Sequence, residues 1–204
     1  MSCVQAQAAD VNTVKATIVK HAIEMGVDPA IALSIAKTES GYRHQARSSH
    51  GAVGVFQLMP STARRMGLNP YSLNDNIKGG IMYYKMMYKM FGSMELALAA
   101  YNAGPGNVKK YKAVPPYSET KRFVSKIMTD YHHLKANPDP AMKAAAEKKN
   151  PPKVTATPSA NQLNKTPQQV SAPVAAKENE ITSKVETVDE TPIELEMEAT
   201  ALAI

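Results

Sequence analysis

The sequence predicts a mainly α domain followed by a polar tail, on three observations. Apolar residues recur at helical spacing in several segments between 11 and 135. Outside 42–56, where a small hairpin fits, no segment alternates as a strand does. Composition changes near 138: residues 1–137 hold 17 Lys and Arg against 8 Asp and Glu, whereas 138–204 hold 7 against 10 and lack Gly, Trp, Tyr and Phe. A stretch without large aromatic groups buries too little apolar area to offset its ordering entropy. The expectation is a domain over 10–137 and a disordered tail, rich in Pro, Ala, Lys and Glu, over 138–204.

Each helix has a start and a stop. Asp10 caps a helix over 11–25, with Val11, Val14, Ile18, Ala22 and Met25 on one stripe and Gly26 as its stop. Asp28-Pro29 opens a second helix, the acid as cap and the proline in the first turn. Its "AIALSIA" is apolar nearly all round, which describes a helix buried on most faces, and Gly41 suits the residue after its end. A polar loop over 41–55 follows, then a short helix after Pro60-Ser61. A longer helix fits about 75–91, with Ile77, Ile81, Tyr84, Tyr88 and Phe91 sharing a face. Ser93 caps "MELALAAYNAG", which Gly104-Pro105-Gly106 terminates. A short helix fits 106–111, and 118–135 places Phe123, Ile127, Tyr131 and Leu134 on one stripe.

The bulk chemistry narrows the function classes. A first part carrying a net charge of +9 suits either a polyanionic partner or plain solubility. Its basic residues are scattered and accompany no nucleic-acid motif, so no nucleic-acid partner is expected. The lone Cys3 excludes an internal disulfide and a cysteine metal cluster, and the five histidines have no metal-ligand spacing. Neither metal nor cofactor is expected. No apolar run approaches the roughly 18–20 residues of a membrane span. Ala6-Gln7-Ala8 resembles a signal-peptidase site, although no charged and apolar region precedes it.

One carboxylate stands out. Glu39 falls in the last turn of the apolar second helix, where the negative end of the helix dipole and burial both disfavour its anion. A carboxyl kept protonated near neutral pH is what a general acid requires. The competing reading is a half-exposed glutamate at a helix end, compensated by Arg43 or Arg47.

Several motifs occur with Glu39, in order: "ES" at 39–40, "GVFQLMP" at 54–60, "AYNAG" at 100–104 and "PPYSETKRFV" at 115–124. Together they resemble the SLT-type (family 1) lytic transglycosylases of the lysozyme-like superfamily, over roughly residues 17–135. The resemblance implies a lysozyme-like, goose-lysozyme-type helical domain acting on peptidoglycan. It implies that Glu39 is the sole catalytic acid and base. Ser48 falls where that family places a serine near the reacting sugar, and Gln57 where a glutamine lines the cleft. Tyr101 and Asn102 match the "AYN" pair, whose tyrosine helps position the acid. Tyr117 and Glu119 match a motif at the cleft wall. One departure is "GVFQ" where the family usually has "GLMQ"; Phe56 is expected to supply an apolar cleft wall.

Glycoside cleavage normally uses two carboxylates. The candidates for a second are Asp75, Glu95 and Glu119, and the first two read as helix-start residues. A one-acid mechanism removes the need: the substrate's own C6 hydroxyl closes on C1 to give a 1,6-anhydro ring, with a large effective molarity. The rivals are a lysozyme-like hydrolase on the same fold and a glycan-binding assembly module with incidental activity. The expected partner is the peptidoglycan strand, with components of an envelope-spanning machine or a virion engaging the tail. The expected location is the periplasm or cell envelope, reached by export or by a phage virion.

Overall fold

The computed structural model describes residues 10–149. Among them the chain forms eight helices: α1 (Val11–Glu24), α2 (Pro29–Ser40), α3 (Pro60–Arg65), α4 (Leu73–Phe91), α5 (Met94–Ala103), α6 (Pro105–Tyr111), α7 (Ser118–Ala136) and α8 (Pro140–Lys149). None of these helices is long and apolar enough to cross a membrane.

The caps act as the sequence implies. Asp10 accepts from the Asn12 and Thr13 amides, Asp28 from Ala30, and Ser93 from Leu96. Gly41 adopts the left-handed conformation that ends α2, at φ 61°. The long helix starts earlier than expected, because the Ser72 hydroxyl accepts from the Asp75 amide and draws Leu73 and Asn74 into the first turn.

α2 is the axis of the fold. Ala30, Ile31, Ala32, Leu33, Ser34, Ile35 and Ala36 are all buried, with α1 and α7 packed against the helix. Burying each of its three large aliphatic side chains contributes about 1.5–3 kcal/mol. A second packed group has α5 at its centre, touching α4, α6 and α7. The buried stripe of α4 uses Ile77, Ile81, Tyr84 and Met87; Tyr88, expected on that face, is 46% exposed. Val11 on α1 likewise points outward.

The loop after α2 contains no strand. It makes only isolated antiparallel bridges, Arg47 with Val53 and Val53 with Leu58. Gly51 and Gly54 at positive φ, and Gln57 at φ 45°, break the extended backbone before a ladder can propagate.

The tail boundary needs correction. Residues 140–149, expected to be disordered, form α8, which packs on α1. Asp139 caps it, accepting from the Ala141 amide at 3.0 Å, and its other oxygen meets Lys15 of α1 at 2.8 Å. Ala141, Met142 and Ala145 then lie against the core. The remainder of the expected tail, and the Ala6-Gln7-Ala8 stretch, lie outside the described residues.

Gly80 sets how closely α4 approaches the loop. A Cβ there would stand 2.2 Å from Phe56 Cγ and 2.3 Å from Phe56 Cβ, both near the root of a fully buried ring. Gly80→Ala is expected to lower stability by about 1–3 kcal/mol, despite alanine's better helix propensity, as read from urea unfolding midpoints at constant m.

Candidate active site

Val53–Phe56 is buried and irregular, and its turn and bridge bonds leave the Val55 carbonyl and both backbone polar groups of Phe56 without backbone partners. Side chains from three helices supply them. From the end of α2, the Ser40 hydroxyl donates to the Val55 carbonyl at 2.7 Å. From α4, Asn76 accepts from the Phe56 amide at 3.0 Å and donates to the Val53 carbonyl at 2.8 Å. From α5, the Tyr101 hydroxyl donates to the Phe56 carbonyl at 2.8 Å. Asn76 is fully buried, and its amide also reaches the Pro70 carbonyl at 3.0 Å. Gly54, at φ 78°, lies so close over it that a Cβ would meet Asn76 Nδ2 at 2.4 Å.

Glu39 sits one residue before Ser40 and is half-buried. Burial pushes its carboxyl up to about 8, and the charge of Glu119 on α7 adds in the same direction. Tyr101 lies beside it: burial first, then the Glu39 charge, then Tyr83 raise the Tyr101 phenol well above its ordinary range. Tyr83 of α4 meets Tyr101 edge-on at 5.2 Å between centroids, and Phe123 of α7 stacks on the same ring at 6.4 Å. The tyrosine is thus fixed at its ring and at its hydroxyl.

The other sequence-derived residues divide. Gln57 is half-buried, and its side-chain amide folds back to the Gly54 carbonyl at 2.9 Å. The Ser48 hydroxyl closes its own turn, accepting from the Ala52 amide at 3.0 Å. Asn102 accepts from Thr120 at 2.7 Å, which ties α5 to the start of α7. That start carries Tyr117, whose hydroxyl donates to Asn107 at 3.1 Å, and the exposed Glu119. Phe56 is the correction: its ring is 0% exposed, wedged against Gly80 in the core, so it walls no cleft and contributes through its backbone.

Asp75 and Glu95 occupy first turns of α4 and α5, and Asp75 accepts from the Asn69 amide at 3.0 Å. Sequence reasoning missed Asn76 and Tyr83 as site-builders. The signal available for Asn76 was an amide directly before Ile77, where the apolar stripe of the helix begins. Among the described residues no group of three or more His, Cys, Asp or Glu is placed to hold a metal ion.

The family model of the transglycosylase SLT domain matches residues 16–124, more than half of the chain. The chain belongs to this family. A transglycosylase of Enterobacteria phage PRD1 is 31% identical over 131 residues, covering 64% of this chain and 47% of that protein. The soluble lytic murein transglycosylase of Salmonella typhimurium is 31% identical over 128 residues, covering 50% of this chain and 20% of the other. Among solved structures, an inactive mutant of lytic transglycosylase Slt from Pseudomonas aeruginosa superposes with a TM-score of 0.54 at 29% identity, covering 62% of this chain and 25% of that one. The 70 kDa soluble lytic transglycosylase of Escherichia coli gives 0.54 at 26% identity with the same coverage. The helical fold is therefore that of the SLT lytic transglycosylases. The chain spans less than half the length of each of these relatives.

Two outcomes follow from the site's construction. Asn76→Ala strands the Phe56 amide and the Pro70 carbonyl and takes from the Val53 carbonyl one of its two donors, and is expected to cost on the order of 3 kcal/mol in urea unfolding. The second concerns pH. The folded chain holds the Glu39 proton more tightly than the unfolded chain, so this group favours folding fully below about pH 4.5 and loses that contribution as pH rises through about 8. Glu39→Gln removes the titration. Its stability relative to the parent should rise between about pH 4.5 and 8 and stay flat below and above that window, in thermal melts taken across pH.

Proposed function

We propose that this SLT domain is a peptidoglycan lytic transglycosylase that cleaves the β-1,4 bond between N-acetylmuramic acid and N-acetylglucosamine without water. The observation that carries this reading is a single carboxyl, Glu39, raised to about 8 at the end of a buried helix. The candidate second acids Asp75 and Glu95 are accounted for by helix starts, and Glu119 is exposed.

In the proposed reaction the protonated Glu39 gives its proton to the leaving O4 as the C1–O4 bond breaks. The resulting carboxylate takes the proton of the C6 hydroxyl as O6 bonds to C1, closing the 1,6-anhydro ring and restoring the acid. Atoms and charges balance within one sugar pair and one side chain. The nucleophile is intramolecular, so the protein need only hold the ring geometry. Ser48, Gln57, Asn102, Tyr117 and Glu119 are proposed to line the strand's path, and Tyr101 to brace the acid's surroundings.

The PRD1 relative supports a setting in which the wall is opened locally, by a virion or by a secretion or conjugation machine, with the chain acting in the periplasm or cell envelope. A basic domain suits a polymer bearing carboxylates.

Mass spectrometry of digested sacculi tests the reading. The parent should release anhydro-ended muropeptides, and Glu39→Gln should slow their release by at least about a hundredfold while strand binding persists. Reducing ends, one water heavier, would instead assign a hydrolase. The rate should fall as pH rises through about 8, because the working form is the protonated acid.

A further inference from the structure

Arg47 and Tyr71 form an exposed pair on the loops flanking the Val53–Gln57 segment. The guanidinium carbon stands 5.1 Å from the ring centroid, and Tyr71 is 56% exposed. Among the described residues the ion pairs employ Lys15, Lys20, His21, Lys37 and Lys135 as cations, so Arg47 is not committed to a carboxylate.

The pair is held from beneath. Arg47 bridges Val53 in antiparallel fashion. Asn76 Nδ2 donates both to the Val53 carbonyl and to the carbonyl of Pro70, the residue before Tyr71. Tyr71 is further set by its amide, which donates to Asn69 Oδ1 at 3.1 Å. One buried amide therefore positions both halves of the pair and also holds the Phe56 amide. Val53 lies two residues before Val55, whose carbonyl the Ser40 hydroxyl ties to the end of the Glu39 helix. The pair and the acid therefore border the same suspended segment.

We propose that Arg47 and Tyr71 form a subsite for a sugar bearing a carboxylate, with the tyrosine ring stacking on the sugar and the guanidinium pairing the acid group. The inference rests on the function proposed above. On a peptidoglycan strand the carboxylate has two sources sharing one chemistry: the lactyl group of a bare N-acetylmuramic acid, or the stem peptide attached to it. A planar guanidinium with free N–H donors suits either, because a carboxylate accepts from it in bidentate fashion.

The test measures strand binding by sedimentation in the Glu39→Gln background, and KM and kcat in the otherwise unchanged chain. It uses three substrates: peptide-bearing strands, amidase-stripped strands with free lactyl carboxylates, and strands whose carboxyls are converted to neutral amides. Arg47→Gln is expected to raise KM and the dissociation constant about fivefold on one or both charged substrates, leave the neutral one unchanged, and spare kcat. Whichever charged substrate loses more names the source. Tyr71→Ala should weaken all three. Equal losses for Arg47→Gln on charged and neutral strands, no loss at all, or a loss confined to kcat would overturn the subsite. Failure of the parent to release anhydro ends would overturn the proposed reaction instead, and the binding measurements would still decide the subsite.

Discussion

Three side chains suspending one buried, irregular stretch of backbone are the constraint on which the site depends. Ser40, Asn76 and Tyr101 come from three different helices and converge on three residues, Val53, Val55 and Phe56. Leaving a buried backbone donor or acceptor unpaired costs about 1–3 kcal/mol, so the segment stays in place only while all three helices keep their relative positions. The arrangement also works in reverse: the segment is a shared anchor that registers α2, α4 and α5 against one another. Glycine makes this geometry attainable. Gly54 lets the backbone lie on Asn76, and Gly80 lets α4 close over Phe56.

The electrostatics follow from that packing. Glu39 emerges at the edge of the suspended segment, in surroundings dense enough to hold its proton near neutral pH. Glu119 reinforces this from α7, whose start is tied to α5 through Thr120 and Asn102. The residues about the acid therefore come from elements far apart in the chain, and their mutual distances are fixed by side-chain hydrogen bonds rather than by a sheet.

Much of this was legible in the sequence where a single residue type has one strong local reason to be present. Asp10, Asp28-Pro29, Gly41 and Ser93 mark helix ends because caps and left-handed turns tolerate few alternatives, and the structure uses each so. Glu39 was legible because an acid ending a buried helix needs explaining. Phe56 was not, since an aromatic in a polar loop looks like a wall for a ligand; the cavity that receives it depends on a glycine one helix later. Tyr88 was assigned inward because its spacing fits almost as well as that of Met87. The eighth helix was hidden by averaging: Ala141, Met142 and Ala145 are too few to alter the composition of a long polar stretch, yet suffice to seat a short helix once Asp139 meets Lys15.

The Tyr101 hydroxyl is spent on the Phe56 carbonyl, and this has a further effect. The phenol's only proton is turned away from its acidic neighbour. The Glu39 carboxyl is crowded, yet no hydrogen bond to it forms among the described residues, and burial leads the causes of its raised proton affinity. Such a group is tethered by its stem and unclaimed at its tip. It can turn about its side-chain bonds without first breaking a hydrogen bond to its host.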